Sequence, residues 1–355
     1  MQETENDKAT EETQLMSKTM KGGAGTILAT ALLLLSGVAP AQVNSTISDY
    51  DPGSILIFPV FTSDFTNGYA SLVSVSNTNG DRRVAIPGLL RGDVQLHYFW
   101  IDGSDWSLTN DQVVLTPNDT RSILTDFQLD SEEGFLIVTA EDPETSEPID
   151  FDFLIGDIVL IDVAGNRTWC TPGIGIQGLV DERLGVGAVR STRGHAFTDA
   201  VANGGDGGTD YDFNGFEYQR WPSILYLSSF FRQAGTNEGE LILLGDLNAD
   251  WRIDLLFIFY DRDEGPNSRT YSFTCWTRQL LSSIAAITTS AVMDPAGWAR
   301  IDTQQAVNPI TGQVQLSPNI LGAVVQRVVG QTGLEFGHLL HHSGLNSTHA
   351  VLDLF

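Results

Sequence analysis

Leu96-His-Tyr-Phe-Trp-Ile-Asp102 and Leu255-Leu-Phe-Ile-Phe-Tyr-Asp261 lie 159 positions apart and share one pattern, a short run of aliphatic and aromatic residues closed by Asp. Runs of this length and composition are strands rather than helices, and side chains alternate between two faces along them. Moving outward, similar runs recur every 8–12 residues, among them Ser54-Ile-Leu-Ile-Phe58, Ser71-Leu-Val-Ser-Val75, Gly134-Phe-Leu-Ile-Val138 and Phe151-Asp-Phe-Leu-Ile155. Asn79-Gly80, Asp102-Gly103 and Pro117-Asn-Asp119 supply turn residues between them. No long stretch has helical periodicity. The pattern predicts an all-β chain of sandwich, immunoglobulin-like type.

The second half repeats the order of the first. Ser54-Ile-Leu-Ile returns as Ser223-Ile-Leu-Tyr at an offset of 169, Gly134-Phe135 as Gly297-Trp298 at 163, and Leu154-Ile-Gly156 as Ile320-Leu-Gly322 at 166. Ser71 to Asn77 aligns loosely with Glu240 to Asn248, at an offset of 171. Near-constant offsets predict an internal duplication. Two related sandwich domains are expected, at 42–163 and 222–355, joined by a Gly- and Asp-rich segment at 164–221.

Gly53-Ser-Ile-Leu-Ile-Phe-Pro59, Val75-Ser-Asn-Thr-Asn79, Leu115-Thr-Pro-Asn-Asp-Thr120 and Phe153-Leu-Ile-Gly-Asp157 together give residues 50–165 a pattern that resembles a group of secreted β-rich proteins of environmental bacteria. The resemblance implies secretion, β architecture and a surface or matrix role. It brings no activity and no site residues.

Charge narrows the function classes. The 355 residues hold 19 Lys+Arg against 45 Asp+Glu, a net charge of −26. Nucleic acid and anionic membrane surfaces need a basic patch and are therefore poor partners. The lysines are Lys8, Lys18 and Lys21 alone. The body of the chain therefore has no Walker A lysine, no Schiff-base lysine and no Ser-x-x-Lys acyl-enzyme site. Gly-x-Ser-x-Gly, Cys-x-x-Cys and His-Glu-x-x-His are also absent.

Lys18 and Lys21 precede the apolar run Thr26 to Leu35, followed by Ala39-Pro-Ala41. This order reads as a signal peptide cleaved after Ala41, its apolar core of about ten residues being short of a membrane span. A secreted or periplasmic product with no membrane anchor after cleavage is expected. In an oxidising compartment, Cys170 and Cys275 read as a disulfide. Closing that loop would stabilise the fold by roughly 4–5 kcal/mol.

Several residues are candidates for binding. Asp210-x-Asp-x-Asn214-Gly, with Glu217 beyond it, resembles the first half of a Ca²⁺ loop, with oxygen ligands at alternate positions and Gly at the turn. Its twelfth position is Trp221 rather than Glu, so Glu217 would have to substitute as ligand. His338, His341 and His342 have a spacing that can hold Zn²⁺ or Cu²⁺. Tyr98 and Trp100 share one strand face and, with Trp106, are candidates to stack on sugar rings.

The expectation is a secreted, non-catalytic β-sandwich protein with a structural, adhesive or glycan-binding role at the cell envelope or extracellular matrix. Its partner would be a polysaccharide or cell-surface component. The alternative is a secreted polysaccharide hydrolase with a carboxylate-based site between the domains.

Overall fold

The alternating runs form strands. The computed structural model describes residues 51–125, 129, 132–146, 148–178, 218, 219, 221–231, 237–245, 251–261, 266–284, 296–328 and 335–342. The first half comprises Ile55–Ser63 (β1), Tyr69–Asn77 (β2), Val84–Ile86 (β3), Leu89–Leu90 (β4), Val94–Asp102 (β5), Leu108–Leu115 (β6), Thr120–Leu124 (β7), Glu132–Glu141 (β8), Leu154–Asp162 (β9), Arg167–Pro172 (β10) and Ile174–Ile176 (β11). The second comprises Ile224–Phe231 (β12), Asn237–Gly245 (β13), Arg252–Asp261 (β14), Pro266–Thr274 (β15), Trp276–Leu280 (β16), Ala296–Val307 (β17), Val314–Leu316 (β18), Ile320–Val328 (β19), Glu335–Leu339 (β20) and His341–His342 (β21).

The halves have one topology. In the first, β11-β1-β8-β5-β6 faces β10-β9-β2-β7; in the second, β21-β12-β17-β14-β15 faces β20-β19-β13-β16. With the β3–β4 hairpin and β18 set aside, the two orders superimpose strand for strand. The chain is two related antiparallel sandwiches. Pairing of β2 with β7 in one sheet, and of β5 with β8 and β6 in the other, follows the immunoglobulin-like Greek key. The flanking strands differ from that pattern, since β1 lies beside β8 and β9 beside β2.

Finer details repeat as well. β1 is bulged against β8 between Phe58 and Phe61, and β12 against β17 between Leu227 and Phe230. A Cβ on Gly134 would lie 1.9 Å from the Ile101 carbonyl oxygen, and one on Gly297 would lie 2.1 Å from that of Tyr260. Both positions therefore require Gly.

β10 and β11 fall within the 164–221 segment and pair with β9 and β1. Tyr218 and Trp221 are buried in the first core. The first sandwich therefore continues past residue 163. β20 and β21 complete the second sandwich beside β19 and β12.

The two cores are joined through one sheet. Leu241, Leu243 and Val324 face the interior of the second sandwich. Ile242, Leu244, Ala323 and Val325, on the opposite face of β13 and β19, are buried with the first sandwich's residues. The register places Val75 opposite Gly156 and Leu243 opposite Gly322, so Ser74 and Ser76 are the counterparts of Ile242 and Leu244. In the first copy this face is half-buried and polar, with Ser74 hydrogen-bonded to Ser122 and Ser76 to Thr120. Where the first copy has hydroxyls, the second has aliphatic side chains, and burying that face packs the second sandwich against the first.

Candidate functional site

Where the sandwiches meet, they leave a cleft of about 510 Å³. Its walls come from the ends of β1 and β9, the starts of β2, β8 and β10, and β13, β16 and β19. The volume lies within the ~300–1,000 Å³ usual for small-molecule sites. The described residues contributing to it carry five carboxylates (Asp64, Glu132, Glu133, Asp162 and Glu240) against the three guanidiniums of Arg167, Arg278 and Arg327.

Local structure fixes most of these charges. Asp64 follows β1 and caps the turn to β2, accepting from the Asn67 backbone at 3.1 Å and from the Asn67 side chain at 2.6 Å. Its backbone exchanges hydrogen bonds with Tyr69, which holds the Tyr69 ring at the cleft, 39% exposed. Asp162 closes the β9–β10 turn, accepting from the Gly165 N–H at 2.6 Å and from Arg167 Nε at 3.0 Å.

Arg278 spans the two sandwiches. It donates to Glu133 Oε1 of β8 at 2.7 Å and to Glu240 Oε2 of β13 at 2.9 Å. Burial works against its charge, but Glu240 and Glu133 together outweigh this and hold the guanidinium above its ordinary range. Arg327 approaches Glu240 at 3.9 Å. Each of the three described cleft arginines thus has a carboxylate partner.

Glu132 differs from the other cleft acids. It pairs across the ladder with Ser63, and among the described residues its carboxylate has neither hydrogen bond nor ion pair. Burial first, then the charges of Asp102 and Asp105, push its carboxyl above the usual range. A carboxyl that is both perturbed and unengaged in a cleft is a recognised mark of a functional position. Among its described residues the cleft offers the exposed ring of Tyr69, the mostly buried ring of Trp169, the unengaged carboxyl of Glu132 and the hydroxyl of Thr62.

The residues expected from sequence fall elsewhere. Tyr98 and Trp100 are 0% and 1% exposed and point into the first core, so they cannot stack on a ligand. Their strand face is the inner one, and Trp100 packs edge-on against Phe61 at 5.2 Å. Burial also pushes the Tyr98 hydroxyl upward. Trp106 is half-buried and packs edge-on against Phe135. Asp210, Asp212, Asn214 and Glu217 lie outside the described residues, as does the segment before Ala41.

His338 and His341 have ring centroids 6.1 Å apart, on strands of different sheets. The His338 Nδ1–H donates to the Leu339 carbonyl at 3.0 Å. The His342 side chain lies outside the described residues. Among those described, no group of three or more His, Cys, Asp or Glu could hold a metal ion.

The disulfide expectation is corrected. Cys170 and Cys275 are both free thiols. Cys170 stands exposed on edge strand β10, with its sulfur 4.0 Å from Asp157. Cys275 is buried between β15 and β16 and donates to the Gly245 carbonyl of its own sandwich. Each thiol belongs to the packing of a different copy, so their even number was not a pairing signal. No described helix is long and apolar enough to cross a membrane.

Sequence reading missed the cleft residues because they come from eight strands and form no linear motif. One signal was present: Glu132-Glu133 opens a strand whose next residues are core, which puts at least one charge beside buried surface.

No protein-family model matches the chain, and no curated protein matches it. Among solved structures, the chain has a likeness to Bacteroides uniformis beta-glucuronidase 2 covalently bound to cyclophellitol-6-carboxylate aziridine, at 7% identity and a TM-score of 0.15. The likeness covers 83% of this chain and 27% of that enzyme. At that score it carries no argument about fold or chemistry.

Proposed function

We propose that the protein is a secreted, non-catalytic β-sandwich protein with an adhesive, glycan-binding role at the cell envelope or extracellular matrix. The observation that carries this reading is the state of the cleft charges. Arg278 is held by Glu133 and Glu240, Arg167 by Asp162, and Asp64 by its own turn. A carboxylate hydrolase needs two working acids placed about the scissile bond, one to donate a proton and one to attack or to activate water. Among the described carboxyls of the cleft, one, Glu132, is left unengaged. Binding without turnover is what such a cleft supports best.

The shared core suits an adhesive. Two sandwiches packed through Ile242, Leu244 and Val325 hold the cleft walls in a fixed relation, so little order has to be gained when a ligand binds. A lysine-free acidic exterior after residue 21 keeps such a protein soluble and self-repelling outside the cell.

The test is co-sedimentation of the purified chain with insoluble polysaccharides and with cell envelopes. Retention in at least one pellet is expected. Recovery entirely in the supernatant with every material would overturn the adhesive role.

A further inference from the structure

We propose that the inter-sandwich cleft is a saccharide site selective for uncharged sugars, in which Tyr69 supplies the stacking face and Glu132 the hydrogen-bonding carboxyl. This rests on the glycan-binding role proposed above and adds the place and the ligand class.

Three observations lead to it. The first is the aromatic ring at the mouth. Most large aromatics of the first sandwich are core, Tyr98, Trp100, Phe58 and Phe61 all being at most 1% exposed. Tyr69 is 39% exposed and lines the cleft, and Phe65, 65% exposed, stands in the same turn. Sugar rings present faces of C–H groups that pack on such rings, while their hydroxyls need polar partners at the edge.

The second is the free carboxyl. Glu132 faces the cleft with no partner among the described residues. A carboxylate accepts from two adjacent sugar hydroxyls, and a protonated carboxyl also donates. Either form can serve an uncharged ligand.

The third is the sign of the charge. The described cleft residues carry five carboxylates against three guanidiniums, a net negative balance, and each of these guanidiniums already has a carboxylate beside it. Among the described residues, a uronate or sulfated sugar would meet no unengaged cation and would carry its own charge towards Glu132 and Glu133. Like charges brought together in a partly desolvated site oppose binding. An uncharged sugar avoids that cost.

The experiment uses the full chain and calorimetric titration with four hexasaccharides: cellohexaose, laminarihexaose, chitohexaose and, as the anionic probe, hexagalacturonate. Binding of at least one neutral probe is expected, with hexagalacturonate weaker by tenfold or more. Tyr69→Ala should weaken the neutral probe about tenfold, the worth of one aromatic contact. Glu132→Ala should weaken it by a similar factor, and both variants should keep the wild-type unfolding midpoint within a few degrees. Neutral binding that neither substitution alters would overturn the cleft assignment while leaving the glycan-binding role standing. Preferential binding of hexagalacturonate would overturn the ligand class. Absence of binding to every probe, and to the insoluble polysaccharides above, would remove the glycan-binding role itself.

Discussion

The indole Nε1–H of Trp276 donates to the Pro59 carbonyl at 2.9 Å, tying the first residue of β16 to the bulge in β1. Trp276 belongs to the second sandwich and Pro59 to the first. The ring lies against Gly103, where a Cβ would approach it to 2.2 Å. A single side chain thus touches the backbone of β1 and of the turn after β5 in the other copy.

Trp276→Ala is expected to destabilise the chain by about 3 kcal/mol, the lower end of the range for large aromatic truncations, because the ring is half-buried rather than enclosed. Guanidinium unfolding followed by fluorescence measures it. Gly103→Ala should act in the same direction by pushing the indole away. No change in either variant would mean that the two sandwiches do not depend on this contact.

Arg278→Ala leaves Glu240, whose side chain is 12% exposed, without its closest partner. A loss of about 3 kcal/mol is expected, as for one side of a buried pair. Adding Glu240→Gln should recover part of that loss, since the orphaned charge is then gone. Failure of the second substitution to recover anything would show that Arg278 acts through packing alone.

Gly134→Ala and Gly297→Ala test the duplication at matched positions. Each added Cβ meets a carbonyl oxygen, of Ile101 and of Tyr260 respectively. Each should cost about 1–3 kcal/mol, and the double variant should lose the sum because the sites share no partners. Unfolding midpoints of the three variants give the answer.

The raised carboxyl of Glu132 predicts a pH dependence of stability. A group whose folded pKa lies above its unfolded value keeps its proton more readily in the native state, so stability falls as pH rises through the carboxylate range. Glu132→Gln should therefore raise the melting temperature at pH 7 and leave it unchanged near pH 3. An equal effect at both pH values would point to packing rather than ionisation.

Two free thiols predict that dithiothreitol leaves the melting temperature unchanged. In the native chain Cys170 alone should react with a thiol reagent. Partial burial of its sulfur and, after it, the Asp157 carboxylate push the thiol up. Its reaction should therefore be slow at pH 7 and accelerate above the ordinary thiol range. A drop in melting temperature on reduction would restore the disulfide.

The duplication was legible because inward-facing positions are constrained alike in both copies. The offsets of 169 for β1 and β12, 159 for β5 and β14, and 166 for β9 and β19 hold in the folded chain. β2 and β13 were misaligned: aligning Asn77 with Asn248 gives an offset of 171, whereas the ladders place Val75 and Leu243 in equivalent positions, an offset of 168. The cause is physical. Ser74 and Ser76 keep the alternation visible in the first copy, while Ile242 and Leu244 erase it in the second because that face is buried against the first sandwich. The aromatic run 97–100 showed two faces, but nothing in it said which was outer; Tyr98 and Trp100 are inner. The cleft was not legible, since no residue in it signals that another strand will arrive opposite.

The most direct measurement is prolonged incubation of the chain with whichever polysaccharide retains it, followed by mass spectrometry of the supernatant for released oligosaccharides. The account predicts retained protein and no soluble product. Oligosaccharide release that disappears in Glu132→Gln would contradict it, and would make Glu132 the acid of a hydrolase.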